Sequence, residues 1–231
     1  MRAYILCGGF GTRLSSVLQG SQKAVVDVHG RPFLGLVLEQ LKQAGLDDVV
    51  LCAHYRADQL AELLPALAAQ SGLKLRLVVE EQPMGTGGAV LQALREVPAE
   101  GRYLVLNADT YLDQQAYCLA LGTAADCVLG VMVEDRSRYG SLDCAPDQRL
   151  LALNEKGADG PGLVNAGVYG FAAQALDEFE LQACSMEQLI LPRLIDRQRL
   201  HVVQYSGPFI DIGTPDSLSA FKSSVQEVGK P

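Results

Sequence analysis

Short apolar runs alternate with amphipathic runs along the first half of the chain. The apolar runs predict strands at residues 3–7, 49–53, 75–79 and 103–107. Apolar side chains at helical spacing predict helices at residues 33–44, 57–69 and 88–94. Gly45 suits the end of the first helix, and Pro65 is expected to interrupt the second. Continuous apolar strands that alternate with helices are typical of a parallel sheet covered by helices on both faces.

The pattern changes after about residue 126. Strand-like runs follow at residues 127–133, 141–144, 150–153, 163–171 and 201–204. One clear helix, residues 186–196, lies between them, and a last helix is expected to start near Pro215 with Thr214 as its cap. No linker, repeat or low-complexity tract divides the sequence. We therefore expect a single α/β domain over residues 1–231, in which the later strands join the same sheet.

The composition is that of a globular protein: of 231 residues, 48% are hydrophobic and 20% are charged. A chain of this length can bury about 70% of the surface of its unfolded form, so its core needs no metal or disulfide. The net charge is −8, from 19 basic and 27 acidic residues. Because nucleic acids and anionic membranes bind basic faces, this balance argues against both as general partners.

The sequence predicts neither export nor membrane insertion. The apolar run at residues 3–7 is too short for a signal peptide, and no run approaches the ~20 apolar residues of a transmembrane helix. The six cysteines lack the paired spacing of a zinc site. We therefore expect them to be reduced core residues of a cytoplasmic protein. The sequence leaves open whether the chain forms a homo-oligomer.

A glycine-rich loop with a basic side chain, G-G-F-G-T-R-L at residues 8–14, follows the first predicted strand. Glycines let backbone amides approach a phosphate, and an arginine adds a fork of donors. The first 26 residues contain Arg2, Arg13 and Lys23 but no acidic residue. The loop matches neither GxxxxGK[ST] nor GxGxxG, the two common phosphate-binding patterns. The alternative to a phosphate loop is therefore a plain glycine-rich turn.

Six further motifs accompany this loop and Lys23. They are EQPMGTGG at residues 81–88, LNADT at 106–110, RYG at 138–140, NEKG at 154–157, NAGVY at 165–169 and FIDIGTP at 209–215. In this order they resemble the motifs of the sugar-nucleotidyltransferase (NDP-sugar pyrophosphorylase) family, from residue 3 to about residue 221. The resemblance implies a Rossmann-like (GT-A-like) α/β fold with a mixed, mainly parallel sheet flanked by helices.

The resemblance also implies a reaction. The phosphate of a sugar 1-phosphate attacks the α-phosphorus of a nucleoside triphosphate, giving an NDP-sugar and pyrophosphate. Such a transfer depends on holding two anions in line and neutralising their charge. In the family pattern Arg13 and Lys23 are the candidate catalytic residues. Mg²⁺ is the implied cofactor, with Asp109 and Asp211 as its ligands.

The same pattern assigns residues to each substrate. The nucleotide-binding candidates are Gly8, Gly9, Gly11, Thr12, Gln82 and Gly87. The sugar-phosphate-binding candidates are Gly140, Glu155, Lys156 and Asn165. Taken singly, several candidates have structural alternatives, such as a turn for Asp109, a helix cap for Asp211 and a solvated side chain for Lys23.

Residues 155–169, 185–187 and 191–194 look most similar to family members that use GTP and D-glycero-α-D-manno-heptose 1-phosphate. The product would then be a GDP-heptose for surface polysaccharide. One alternative is a sibling enzyme that uses UTP, CTP or dTTP with mannose or glucose 1-phosphate. Another is a non-catalytic protein that senses a nucleotide-sugar.

The sequence departs from the family pattern at two places. The segment at residues 21–24 lacks the prolines that usually flank the lysine, so we expect a less stiff loop around Lys23. Ala108 replaces the usual glycine before Asp109. This replacement puts the local backbone geometry in question more than the metal ligand itself.

Overall fold

Strands and helices alternate along the chain, as the hydrophobic pattern predicts. In the computed structural model, which describes residues 1–18 and 20–228, the strands are β1 (Arg2–Leu6), β2 (Asp27–Val28), β3 (Arg31–Pro32), β4 (Asp48–Ala53), β5 (Lys74–Val79), β6 (Tyr103–Asn107), β7 (Thr110–Leu112), β8 (Asp126–Val133), β9 (Ser141–Cys144), β10 (Leu150–Asn154), β11 (Gly162–Phe171), β12 (Leu200–Tyr205) and β13 (Phe209–Asp211). The helices are α1 (Ser15–Leu18), α2 (Phe33–Gln43), α3 (Ala57–Ser71), α4 (Gly85–Glu96), α5 (Gln114–Gly122), α6 (Leu191–Asp196) and α7 (Pro215–Val228). Short 3-10 helices span Thr12–Leu14 and Lys23–Val25, and a π-helical turn spans Met186–Ile190.

Nine of the described strands form one central sheet. At its centre β6, β1, β4 and β5 are parallel neighbours, and Ala3 pairs with both Val49 and Leu104. β11 runs antiparallel to β6, β8 and β9, while β12 lies parallel to β8 and β10 antiparallel to β9. All strands of this sheet except β10 and β11 therefore run in one direction. The predicted single-domain α/β fold, with a mixed, mainly parallel sheet flanked by helices, is confirmed.

Both faces of the sheet are buried. Along β1 the side chains alternate between the faces: Ala3 and Ile5 join an apolar cluster with Leu34 of α2, and Tyr4 joins a second cluster with Val90 of α4. A strand that is buried on both faces has no polar positions to alternate with apolar ones. For this reason the central strands could be recognised in the sequence as continuous apolar runs.

Helix α3 continues through Pro65, so the predicted interruption was wrong. Proline lacks the N–H that would donate to the carbonyl of Ala61, one turn earlier. Ala61 and Pro65 are both exposed, so water can satisfy that carbonyl. Leu60 and Leu67 are buried on the opposite side and hold the helix on the core.

The helix predicted at residues 186–196 is divided between the π-helical turn and α6. Pro192 lies in the first turn of α6 and has no N–H to donate to the carbonyl of Gln188, which disfavours one regular α-helix. Helix α5 and the small antiparallel pairs β2–β3 and β7–β13 were not predicted. Strands of two or three residues are too short to show a period, and α5 has apolar side chains such as Leu119 at exposed positions, which weakens its helical pattern. Thr214 caps α7 as predicted: its Oγ1 accepts from the Ser217 N–H at 3.3 Å.

Cysteine burial follows the prediction only in part. All six thiols are free, and Cys7, Cys52 and Cys127 are buried. Cys118 is exposed on α5, and Cys144 and Cys184 are partly exposed, so the expectation of core positions was wrong for these three. Among the described helices, none is both long and apolar enough to cross a membrane.

Candidate active site

Two cavities lie side by side where the central parallel strands end. The first has a volume of about 360 Å³ and the second of about 340 Å³. Leu6 and Asn107, the paired last residues of β1 and β6, both line the first cavity. Asn107, Asp109 and Glu187 line both cavities, so the two spaces adjoin at these side chains. This is the edge at which open α/β sheets bind ligands.

The glycine-rich loop after β1 forms part of the wall of both cavities. Gly8 and Gly9 line the first cavity, and Arg13 reaches the second. Gly11 has a φ of +61°, a conformation that side chains rarely adopt. A Cβ at this position would also lie 2.7 Å from Cδ1 of Leu18. Both observations require glycine at position 11, whatever ligand the loop binds.

Gln22 is a buried polar residue that holds the segment before Lys23 in place. Its side-chain amide donates to the carbonyl of Cys7 and accepts from the Ala24 N–H at 2.5 Å. Its own N–H donates to Oε1 of Gln59 at 2.7 Å. These bonds tie the lysine segment to β1 and to α3. Gln22 thus supplies a constraint where the family's prolines are missing, and no local pattern in the sequence indicates this role.

Lys23 and Asp109 form an ion pair at the junction of the two cavities. The Lys23 Nζ lies 2.5 Å from Oδ2 of Asp109, and the lysine side chain is only 15% exposed. Ala108, which precedes this aspartate, is buried and has no positive φ. Its N–H donates to the carbonyl of Leu6 at 3.3 Å. An alanine therefore fits this backbone, and the replacement of the family's glycine does not displace Asp109.

The strand pair β7–β13 brings Asp211 next to Asp109. Asp211 is the register partner of Thr110, and the Ile212 N–H donates to the Asp109 carbonyl at 2.9 Å. The Asp211 carboxylate accepts from the Gly213 N–H at 2.5 Å and lies 3.5 Å from Nη2 of Arg138. The two candidate metal ligands are thus neighbours in the tertiary structure, and each faces a cation of the chain.

The donor set at this junction fits a hard divalent cation. Asp109 and Asp211 both line the second cavity. Mg²⁺ is commonly held by one or two carboxylates together with substrate phosphates and water. Within the described ranges no group of three or more His, Cys, Asp and Glu side chains could hold a metal ion by itself. A cation at this junction would therefore depend on bound phosphate for its remaining ligands.

All four sugar-phosphate-binding candidates line the second cavity, namely Gly140, Glu155, Lys156 and Asn165. Gly140 and Asn165 belong to one local arrangement, because the Asn165 N–H donates to the Gly140 carbonyl at 2.9 Å. Glu155 and Lys156 follow β10 and are exposed. They lie together with Arg13 and Asp211 around this cavity. Their roles toward a sugar phosphate stay predictions.

The family model for nucleotidyl transferases matches residues 2–227. The chain belongs to the nucleotidyl transferase family. It is 30% identical to the D-glycero-alpha-D-manno-heptose 1-phosphate guanylyltransferase of Campylobacter jejuni, over 96% of this chain and 98% of the relative. It is also 30% identical to the mannose-1-phosphate guanyltransferase of Schizosaccharomyces pombe, over 93% of this chain but only 61% of that longer protein.

This nucleotidyl transferase also resembles a solved structure, HddC from Yersinia pseudotuberculosis. The two are 31% identical, and the match covers 97% of this chain and 99% of the HddC chain with a TM-score of 0.85. The structure of HddC complexed with GMP-PN matches with a TM-score of 0.82 over the same coverage. The family resemblance drawn from the sequence motifs is therefore confirmed.

Four nucleotide-binding candidates of this nucleotidyl transferase do not line either cavity, namely Gly11, Thr12, Gln82 and Gly87. Gln82 is exposed, two residues after Glu80. Gly87 is buried in α4, where a Cβ would lie 2.7 Å from Sγ of Cys184. Its N–H donates to the Cys184 carbonyl at 2.9 Å. Packing alone thus requires a glycine here, and the base-binding roles stay predictions.

Glu80 also lines the first cavity, although it is not among the site residues predicted from the sequence. It is 6% exposed, and its Oε2 accepts from the Met84 N–H at 2.8 Å, which closes the turn before α4. Its carbonyl lies 3.1 Å from Nδ1 of His54. Burial raises the pKa of the Glu80 carboxyl. The sequence feature that indicates this position is an acidic residue directly after a predicted apolar strand, because side chains at the ends of parallel strands commonly line the ligand cavity.

Proposed function

We propose that this protein joins a sugar 1-phosphate to GTP and releases pyrophosphate. The observation that carries the proposal is the junction of the two cavities, where Lys23 and Asp109 are paired. The first cavity has the glycine loop as a wall, which suits a triphosphate, and the second contains Arg13 and Lys156. Two anionic substrates in adjoining cavities would meet beside this lysine and this carboxylate. An in-line phosphoryl transfer requires that the two reacting phosphates are held next to each other in this way.

The proposed reaction balances without a covalent enzyme intermediate. A phosphate oxygen of the sugar 1-phosphate forms a bond to the α-phosphorus, and the bond from that phosphorus to the β-phosphate oxygen breaks. The electron pair of the broken bond leaves with pyrophosphate. Lys23 and Arg13 neutralise charge on the two phosphates and keep them aligned. Mg²⁺ bound by Asp109 and Asp211 would add positive charge at the α-phosphate and the leaving pyrophosphate.

The comparisons favour a particular substrate pair. The Campylobacter jejuni relative that this chain matches over nearly its full length is a D-glycero-alpha-D-manno-heptose 1-phosphate guanylyltransferase. HddC was complexed with GMP-PN. We therefore propose GTP and D-glycero-α-D-manno-heptose 1-phosphate as the substrates, and a GDP-heptose for surface polysaccharide as the product. Mannose 1-phosphate is the second candidate, on the evidence of the Schizosaccharomyces pombe relative.

The proposal assigns the reaction to one domain, residues 1–231, in the cytoplasm. The free state of all six cysteines supports a reducing compartment, because secreted domains commonly pair their thiols.

The test is pyrophosphate release from a matrix of substrates. Purified protein and Mg²⁺ are incubated with GTP, ATP, UTP, CTP or dTTP, each combined with the 1-phosphates of the heptose, mannose and glucose. We expect the highest kcat/KM for GTP with the heptose 1-phosphate, and none for the Asp109→Asn variant, which controls for contaminating enzymes. Release with UTP but not with GTP would overturn the guanylyl assignment. Absence of release with every pair would overturn the proposed function and favour a nucleotide-sugar sensor.

A further inference from the structure

Glu187 lines both cavities, and neither the phosphate chemistry nor the metal site uses it. It stands in the first turn of the π-helical segment, after the N-cap residue Ser185. Its N–H donates to the Ser185 Oγ at 3.1 Å. The local backbone thus turns around the serine hydroxyl and directs the glutamate toward the cavity junction.

Two hydroxyl groups donate to the same oxygen of the Glu187 carboxylate. Oε2 accepts from the Ser185 Oγ at 2.8 Å and from the Thr86 Oγ1 at 3.0 Å. Each hydroxyl oxygen also accepts from the backbone. The Ser185 Oγ accepts from the N–H groups of Glu187 and Gln188, and the Thr86 Oγ1 accepts from the Met186 N–H. A hydroxyl has a single proton, so both protons are directed at Glu187.

The other carboxylate oxygen of Glu187 has only a weak partner. Oε1 lies 3.5 Å from the OH of Tyr169, a fully buried tyrosine. The same OH accepts from Nδ2 of Asn165 at 2.9 Å, which leaves the tyrosine proton to point toward Glu187. Asn165 also accepts from the Gly167 N–H at 2.9 Å. The Asn165 amide is therefore engaged within the chain, and it orients Tyr169 beside Glu187.

We infer that Glu187 is a specificity-determining residue whose Oε1 accepts a hydrogen bond from a sugar hydroxyl of a bound substrate. The hydroxyls of Ser185, Thr86 and Tyr169 all donate to the carboxylate, and a carboxylate oxygen can only accept, so a ligand group that it recognises must be a donor. An ionised phosphate has only acceptor oxygens and would be repelled by the carboxylate, whereas a hydroxyl has the required proton. The inference rests on the proposed function, because it is the sugar of that reaction that the site would select.

Hydroxyls of this kind come from two sources. The sugar 1-phosphate would reach Glu187 from the second cavity, beside Asn165, and the ribose of the nucleotide would reach it from the first, beside Thr86. Both hydroxyls would make the same hydrogen bond to Glu187. A substitution of Glu187 would lower kcat/KM for the sugar 1-phosphate in one case and for the nucleotide in the other. Deoxygenated substrates therefore distinguish them.

The experiment compares wild type with Glu187→Gln and Glu187→Ala, and uses Glu62→Gln on the exposed face of α3 as a matched loss of charge. We expect kcat/KM for the substrate that supplies the hydroxyl to fall about 10- to 100-fold in both Glu187 variants, the loss typical of a hydrogen bond to a charged group. The kcat/KM for the other substrate should stay within about threefold of wild type. Thermal unfolding shows whether each variant is folded. If Glu187→Ala does not fold, the comparison is made with Glu187→Gln alone.

Deoxy substrates give a readout that a purely structural role would not change. If Glu187 binds the ribose, kcat/KM for 2′-deoxy- or 3′-deoxy-GTP should be the same in wild type and Glu187→Gln. If Glu187 binds the sugar 1-phosphate, kcat/KM for a monodeoxy mannose 1-phosphate should be the same in the two proteins. An equal loss for every substrate, deoxy or not, would overturn the inference, as would wild-type kinetics in both variants.

Calorimetric binding separates failure of the inference from failure of the proposed function. GTP and mannose 1-phosphate are titrated separately into wild type and Glu187→Gln. A loss of affinity that disappears with the deoxy form of the same ligand supports the inference even where no pyrophosphate is released. Equal affinities for both proteins would overturn it, whether or not the wild type is active.

Discussion

The ammonium group of Lys23 lies 2.5 Å from a carboxylate oxygen of Asp109, at the point where the two cavities meet. Arg138 faces Asp211 at 3.5 Å in a similar way. Each candidate metal ligand thus has a cation of the chain beside it. Asp109 is 35% exposed, so its pair with Lys23 contributes at most about 1 kcal/mol to stability. We expect its main role to be in the chemistry of the site.

The first prediction concerns Lys23. Lys23→Met should lower kcat/KM at least about 100-fold, because the proposed reaction uses this cation to neutralise charge on the reacting phosphates. The melting temperature should change by only a few degrees, since the ion pair adds little to stability. Steady-state kinetics and thermal unfolding measure the two quantities. The control is Lys42→Met, at an exposed position of α2, which should keep wild-type kinetics. Wild-type rates in Lys23→Met would exclude Lys23 from the mechanism.

The second prediction concerns the two candidate metal ligands. Asp109→Asn and Asp211→Asn should each weaken Mn²⁺ binding in the presence of GTP by about tenfold or more, because a neutral amide is a poorer ligand for a hard cation. Electron paramagnetic resonance of free Mn²⁺ measures the affinity without any need for turnover. Asp58→Asn, exposed in the first turn of α3, should bind Mn²⁺ like the wild type. Unchanged affinity in both site variants would exclude these carboxylates as ligands.

The third prediction concerns the glycine loop. Gly11→Ala should destabilise the fold by about 1–2 kcal/mol, because alanine resists a φ of +61° and its Cβ would press on Leu18. Gly9→Ala is the matched control: its Cβ would have no heavy atom within 4 Å, so its stability should stay near that of wild type. Urea unfolding measures both variants. Equal stabilities would show that the loop rearranges freely.

The fourth prediction concerns Gln22. Gln22→Leu should lower the free energy of unfolding by about 1–3 kcal/mol, because it leaves the Cys7 carbonyl and the Ala24 N–H without their partner. It should also lower kcat/KM, since Lys23 is the next residue. Gln115→Leu, at an exposed position of α5, should change neither quantity. If Gln22→Leu is as stable and as active as wild type, the lysine segment is held by other contacts.

The fifth prediction concerns pH and Glu80. Burial raises the pKa of this carboxyl above its ordinary value of 4.5, so the folded state binds a proton more tightly than the unfolded chain does. Its contribution to stability is therefore full below about pH 4.5 and is lost as the pH rises through the folded-state pKa. Glu80→Gln should remove this loss, so its stability relative to wild type should increase with pH in urea unfolding series. A difference that does not change with pH would show that the carboxyl is not perturbed.

Much of the fold could be predicted from local sequence. The central strands are apolar on both faces and therefore appear as continuous apolar runs, whereas helices such as α2 repeat apolar side chains on one face. The site was harder to predict. Asp211 meets Asp109 through β7–β13, two strands of three residues each, and such strands are too short to carry a signal.

The central strands, the glycine-rich loop and the family motifs can be recognised without the fold, because each depends on residues that are neighbours along the chain. Which side chains share the junction of the two cavities depends instead on the tertiary structure. Gln22 is polar and yet buried. The Glu187 carboxylate accepts a hydrogen bond from Thr86, which is distant from it in the sequence. Such roles arise from hydrogen bonds between segments that meet only in the folded chain, and no local pattern encodes them.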